Sequence, residues 1–304
     1  MALKQKQSLP LDAKITLSQA RIKEWYDHYD GEVYVSFSGG KDSTVLKHLV
    51  ETTIGVKDVP SVFVDTGLEY PELKAFIRSF KNVVILHPKM RFDEVVKKYG
   101  FPVISKEVSN KIANAKPENT RWQQLKGIYI DPKTGEKSKY NCAKYEDLLN
   151  APFKISDKCC DIMKKAPAKE YGKKTGKKPI LALMAAESRK RAVAYLNTGC
   201  NAYDKKDPQS QPIAFWTEQD ILEYIVRFKL PYASVYGDIK TDDNGKYYLT
   251  GAKRTGCMFC LYGIGLEDHP NRLEQMKVTH PAQYRYCLDV LGERAVLDYL
   301  KIKY

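Results

Sequence analysis

Apolar residues recur along this chain with two periods, and the alternation between them predicts its architecture. Leu17, Ala20, Ile22, Trp25 and Tyr26 fall on one side of a helical wheel, so Leu17–Tyr29 is predicted to be an amphipathic helix. Short runs rich in β-branched and aromatic residues follow at Val33–Phe37, Ser61–Asp65, Val83–Leu86 and, much later, Pro179–Leu183. Each reads as a strand buried on both faces. Helical patterns lie between them at Ser43–Val50, Pro71–Phe80 with Pro in its first turn, and Glu187–Leu196. Strands alternating with helices predict an α/β fold around a parallel sheet, with a ligand at the carboxyl ends of the strands. Residues 116–152 break into polar turns such as Asp131–Gly135 and are expected to form an insertion or lid. The turn Thr241–Lys246, between Tyr-rich stretches, predicts a hairpin, and Pro281–Tyr304 two short helices separated by Gly292. The expected division is a first domain over 1–235 and a C-terminal appendage over 236–304. No internal repeat is present.

Composition narrows the class. The chain has 304 residues, 43% of them hydrophobic, enough for a large core. No apolar run approaches the length of a membrane span, and MALKQKQSLP lacks the apolar stretch of an export signal. A cytoplasmic protein without membrane contact is expected. Lys and Arg number 50 against 37 Asp and Glu, a formal charge of +13. That surplus suits an anionic partner such as a nucleotide or nucleic acid, although lysines scattered from Lys4 to Lys303 also describe an ordinary solvated surface. Seven cysteines without an export signal point away from a disulfide framework.

The strongest chemical signal is Ser38-Gly39-Gly40-Lys41-Asp42-Ser43, placed where a strand ends and a helix begins. Such a turn aims backbone N–H groups at one point, and the helix dipole adds about half a positive charge there. Gly39 and Gly40 let a phosphate approach the backbone; Ser38 and Ser43 offer hydroxyls and Lys41 a charge. Asp42 repels phosphate, so its expected role is to order the loop or help hold Mg²⁺. The spacing is not G-x-x-x-x-G-K-[ST], so kinase or GTPase chemistry is not implied.

SGGKDS after an apolar strand resembles the PP-loop enzymes, which bind ATP or adenylyl sulfates. Asp65-Thr66-Gly67-Leu68-Glu69-Tyr70-Pro71-Glu72 resembles the DTG…PE segment of the phosphoadenylyl-sulfate (PAPS) reductase family. Pro212–Ile221, with Trp216, Thr217 and Asp220, and Leu230–Tyr236 resemble two further segments of that family, in the family's order. The resemblance implies a Rossmann-like sheet of the adenine nucleotide alpha-hydrolase type, with residues 1–235 as the nucleotide-binding domain. Ser38–Ser43 would hold phosphate, with Lys41 and Asp42 as catalytic candidates. Asp65 and Thr66 would face adenine and ribose; a turn-capping carboxylate is the alternative for Asp65. Glu187, Ser188 and Arg191 match the family's ES-x-x-R and are expected at the nucleotide.

Cys159-Cys160 and Cys257-x-x-Cys260 form the second signal. Successive helical positions diverge by about 100°, close enough for two thiolates to reach one cluster. Asp157 is expected to cap that helix, whose N-terminus would lower the thiol pKa values. A 4Fe–4S cluster, a Cys₄ zinc and no metal all remain open at this level, although a tandem pair suits tetrahedral zinc poorly. The CC…C-x-x-C arrangement, with Arg254 in R-x-GC-x-x-C, is similar to that of assimilatory reductases carrying a 4Fe–4S cluster. Cys200 and Cys287 are expected to be buried, inert thiols; Cys142 could substitute for a ligand. The five histidines show no ligand spacing.

Two departures limit the resemblance. The family's nucleophile lies in an E-C-G-[LI]-H segment that this sequence lacks, and Met184 stands where the family tends to carry an Arg. Three functions follow. One is an ATP-using enzyme that releases pyrophosphate and activates an acceptor, tRNA or DNA, for sulfur transfer. Its sulfur donor would be of the cysteine desulfurase kind. The second is a thiol-dependent reductase of adenylyl sulfates, served by a thioredoxin-type reductant. The third is a nucleotide-binding subunit without chemistry. Oligomeric state is left open, a homodimer included.

Overall fold

The computed structural model describes residues 2–304. The strands are β1 (Val33–Ser36), β2 (Ser61–Val64), β3 (Val83–Leu86), β4 (Val103–Ile104), β5 (Lys178–Leu181), β6 (Asn201–Ala202), β7 (Gln209–Ser210), β8 (Ile239–Thr241), β9 (Tyr247–Leu249) and β10 (Leu261–Tyr262). Six of them form one sheet in the order β3-β2-β1-β5-β7-β6, parallel except for the β6–β7 edge. Val33, Tyr34 and Val35 of β1 are all buried, as a central parallel strand covered on both faces requires. The chain leaves β1 toward β2 on one side and returns as β5 on the other. β1 and β5 therefore flank the topological switch point, where α/β sheets bind ligands.

The chain divides into two compact units. The first comprises Met1–Asp65, Glu69–His87 and Pro167–Gly256; the second comprises Thr66–Leu68, Pro88–Ala166 and Cys257–Tyr304. The first holds the sheet, the flanking helices and the β8–β9 hairpin at the predicted turn. Its core gathers Val35, Phe37, Leu46, Leu49, Ile180 and Trp216, all under 2% exposed, each worth about 1.5–3 kcal/mol of burial. The predicted helices form with shifted ends: Leu11–His28, Lys41–Thr52, Pro71–Arg78 and Arg189–Thr198. The last begins later than expected because Ala185–Glu187 is a 3₁₀ turn and Ser188 is the N-cap.

The second unit is helical around a two-stranded parallel ladder, β4 with β10. The stretch predicted as an insertion or lid contributes the helix Thr120–Lys126 and the 3₁₀ segment Ala143–Asn150 to this unit. Its terminal helices include Pro281–Arg285 and Glu293–Tyr299, with Gly292 between them in the left-handed conformation.

Candidate nucleotide and cysteine sites

The strand β1 ends at Ser36, and the turn Phe37–Gly40 delivers the chain into the helix Lys41–Thr52. The Ser43 hydroxyl accepts from Ser38 N (3.2 Å), lies 3.1 Å from Ser38 Oγ, and donates to Gly40 O (2.9 Å). Both hydroxyls thus brace the turn. The two glycines do different jobs. Gly39 sits at φ +71°, and a Cβ there would lie 2.6 Å from Ile77 Cγ1, so its constraint is the core. At Gly40, whose φ is ordinary, a Cβ would meet Tyr236 OH at 3.2 Å and Ser38 Oγ at 3.3 Å, the polar mouth of the loop.

Three residues to which the sequence assigns no role close this mouth. Tyr236 OH accepts from Lys41 N (3.2 Å) and is 2.6 Å from Thr255 Oγ1, so a phenol caps the first helical amide. Glu218 lies 3.5 Å from Lys41 Nζ, and that ammonium also sits over the Tyr236 ring. Burial pulls the Lys41 pKa down, but Asp42, Tyr236 and Glu218 more than offset it; the net shift is upward and the ammonium stays charged. Burial is the main cause that raises the Asp42 pKa, with Lys41 opposing it. Asp42 Oδ1 is buried and its partner is the Lys41 ammonium, an ion pair at 3.4 Å rather than a well-formed hydrogen bond. Among the described residues no group of three metal-binding side chains gathers here, so Asp42 would be a single carboxylate ligand to a Mg²⁺ that arrives with a phosphate chain.

Beyond β5, Glu187 accepts from Met184 N (3.1 Å) and pairs with the Arg191 guanidinium, while Ser188 Oγ accepts from Arg191 N (3.3 Å) as the helix cap. Burial lowers the Arg191 pKa, Arg254 lowers it further and Asp42 opposes both. Arg191, Arg254 and the loop carboxylate are thus electrostatic neighbours. Asp65 closes the end of β2: its amide donates to Leu86 O (2.8 Å) and its carboxylate meets Lys74 at 3.0 Å. Thr66 falls in the second unit, buried, with its hydroxyl accepting from Leu68 N (3.2 Å).

All four candidate cysteines lie in the second unit. Cys159 and Cys160 occupy the turn Lys158–Cys160, which continues through a π turn at Asp161–Lys165. The cap expected of Asp157 does not form. Its φ/ψ of −94°/5° lies outside the extended region that lets a side chain reach back, and Ser156 Oγ accepts from Lys158 N instead (3.1 Å). Asn110 donates to Asp157 at 3.2 Å. The turn Cys257–Cys260 is closed by Cys260 N donating to Cys257 O (3.2 Å) and clamped by Arg272, whose Nη1 donates to Cys260 O (3.0 Å) and Nη2 to Tyr262 O (2.9 Å). Nothing in the sequence marks Arg272 as part of this site. Burial pushes the Cys159 thiol pKa up, and Cys257, Cys160 and Cys260 add to it; burial likewise pushes Cys260 up to about 11. Among the described residues no His, Cys, Asp or Glu group is gathered tightly enough to hold a single metal ion. Cys200 and Cys287 are buried, as expected.

The model of the phosphoadenosine phosphosulfate reductase domain matches residues 32–261. The chain belongs to this family. A PAPS reductase from Candida auris, in complex with phosphate, is similar in structure at 16% identity and a TM-score of 0.42, over 79% of this chain and 98% of that one. A U34-tRNA thiolase from Methanococcus maripaludis, with its 4Fe–4S cluster, follows at 11% and 0.38, over 94% and 80%. Two uncharacterized proteins of Methanocaldococcus jannaschii are related in sequence. One is 28% identical over 242 residues, 79% of this chain and 38% of its own length; the other is 32% identical over 116 residues, 36% and 28%. The chain thus spans well under half of these relatives. Within the PAPS-reductase family frame, the 3₁₀ turn and cap at Ala185–Ser188 place the ES-x-x-R residues at the carboxyl end of β5, and Met184 is buried.

Proposed function

We propose that this PAPS-reductase-family protein binds ATP with Mg²⁺ in the Ser38–Ser43 loop and releases pyrophosphate as it activates an acceptor for sulfur transfer. The observation that carries the reading is the buried Asp42 Oδ1 at the phosphate loop, held there by an ion pair with Lys41 at 3.4 Å and by no well-formed hydrogen bond. A carboxylate there opposes phosphate alone but suits a phosphate chain that arrives with its cation. Lys41, held charged, would neutralise the phosphates, and Arg191 and Arg254 would stabilise the leaving pyrophosphate. Cys159, Cys160, Cys257 and Cys260 would hold a 4Fe–4S cluster, a group that when bound can take up and present sulfur. The basic surplus suits a nucleic-acid acceptor. The rival, a reductase attacking sulfur through a cysteine of this chain, needs an accessible thiol outside the four. Cys200 and Cys287 are buried, which leaves the half-buried Cys142, and that residue does not stand in the E-C-G-[LI]-H segment expected of such a nucleophile. Incubation with adenylyl sulfate or its 3′-phosphorylated form and thioredoxin is expected to release no sulfite. Sulfite that disappears in Cys142→Ser or in Cys287→Ser would overturn the reading.

A further inference from the structure

A cavity of about 760 Å³ opens in the second unit, within the size range of small-ligand sites. No residue assigned above to the nucleotide or the cysteines lines it. Its walls include Lys144, Tyr145 and Asn150 from the 3₁₀ segment, Tyr299 and Lys301 from the end of the last helix, and Ile104 of β4.

Two of these residues hold unusual backbone. Ile104 has φ +61° and Lys301 φ +55°. A β-branched residue in the left-handed region is strained by about 1–3 kcal/mol and persists only where its surroundings hold it. Here Ser109 Oγ donates to Val103 O (2.7 Å) and accepts from Val103 N (3.1 Å), while Gly263 N donates to Ile104 O (2.8 Å). Ile104 pairs in the ladder with Tyr262, two residues beyond Cys260. One ladder therefore carries both a wall of the cavity and the chain leaving the Cys257–Cys260 turn.

We propose that this cavity receives an unpaired nucleotide of a single-stranded nucleic acid, the acceptor in the reading above, on which the proposal rests. Tyr145 and Tyr299 bring aromatic rings to the lining, and a base stacking on Tyr145 would take the place of the Lys144 ammonium that now lies 4.8 Å from its ring centroid. Tyr299 is held in place, edge-on to Phe153 at 5.5 Å and donating to Asp147 O at 3.0 Å. Asn150 presents both a donor and an acceptor to a base edge. The carboxylates Asp147 and Asp298, also in the lining, suit base N–H donors and oppose a free inorganic anion. Lys144 and Lys301 supply the cations that the backbone on either side of that nucleotide requires.

The test uses fluorescein-labelled single-stranded 12-mers of mixed sequence, one RNA and one DNA, titrated with full-length protein in fluorescence anisotropy without ATP. Lys144→Glu/Lys301→Glu is expected to weaken binding at least tenfold, and to reduce the salt slope by roughly 0.7 for each phosphate that is no longer neutralised. Lys173→Glu/Lys174→Glu, an equal charge change on exposed lysines of the first unit, is expected to change affinity less than threefold. Preference for the RNA or the DNA strand would identify the sugar. A 2-aminopurine in the strand is expected to be quenched on binding, and Tyr145→Leu to relieve the quenching. Equal weakening in both charge variants, quenching unchanged in Tyr145→Leu, or no binding by the wild type would overturn the proposal. Because ATP is absent, its failure is separable from a failure of ATP binding, which calorimetry measures independently.

Discussion

Arg191 shows how far single residues can be read. Its position shortly beyond a core strand suggests an anion contact, because Arg in a helix first turn after Glu-Ser matches a family pattern. Its partners are not legible: Glu187 pairs with it, and Arg254, far along the chain, is an electrostatic neighbour. Arg191→Ala is expected to weaken ATP affinity by about 1–3 kcal/mol, the worth of one charge-assisted hydrogen bond. Isothermal calorimetry measures this directly, and an unchanged dissociation constant would return Arg191 to a purely structural pairing with Glu187. Trp216 and Asp220 run the other way. They read as part of a family signature, yet Trp216 Nε1 donates to Ser18 Oγ (2.9 Å) and both Asp220 carboxylate oxygens accept from the buried Lys14 ammonium at 2.7 Å. That signature anchors the helix Leu11–His28 to the start of the helix Glu218–Phe228, while Glu218 itself reaches the phosphate loop.

Among the elements, strands with at least three apolar residues in a row are legible and the two-residue strands are not. Val103–Ile104 and Leu261–Tyr262 are too short to carry a period, and each is a strand only because the other lies beside it. The last helix hides a second feature. Glu293 opens it fully buried, accepting a 2.8 Å hydrogen bond from the Cys287 thiol, with its other oxygen unpartnered among the described residues. Burial pushes its carboxyl pKa up to about 8 from the ordinary 4.5, with the Cys287 hydrogen bond opposing. Between those two values the unfolded chain has released this proton and the folded one keeps it. The unfolded state then binds fewer protons, so this contribution is complete below about pH 4.5 and is lost as pH rises through 8. The span is on the order of 5 kcal/mol. Glu293→Gln, which keeps the shape and does not titrate, is expected to gain stability relative to the wild type as pH rises. Urea unfolding at pH 5 and pH 8 checks this; parallel profiles for the two proteins would contradict it.

At the scale of the whole molecule, alternation of strands and helices reveals the sheet and its ligand edge, because both follow from local period and topology. The division into units is not legible. The second unit draws on three separated stretches, so no linker marks it, and the expected boundary near 235 reflects only where the strand–helix pattern thins. That unit nevertheless unites Cys159 and Cys160 with Cys257 and Cys260. Protein purified anaerobically is expected to be brown, with iron and acid-labile sulfide in equal amounts, and Cys257→Ser to lose the broad visible absorbance. One tightly bound zinc without sulfide would refute the cluster while leaving the ligand set standing. The central claim is that the Ser38–Ser43 loop binds ATP, and its most direct measurement is calorimetric titration of ATP with Mg²⁺ into the wild type and Gly40→Val. A branched side chain at 40 must enter the space between Tyr236 OH and Ser38 Oγ, which a Cβ already approaches to 3.2 and 3.3 Å. The wild type is expected to bind one ATP and Gly40→Val none, with circular dichroism spectra that superimpose. Undiminished ATP binding by a folded Gly40→Val would contradict the claim.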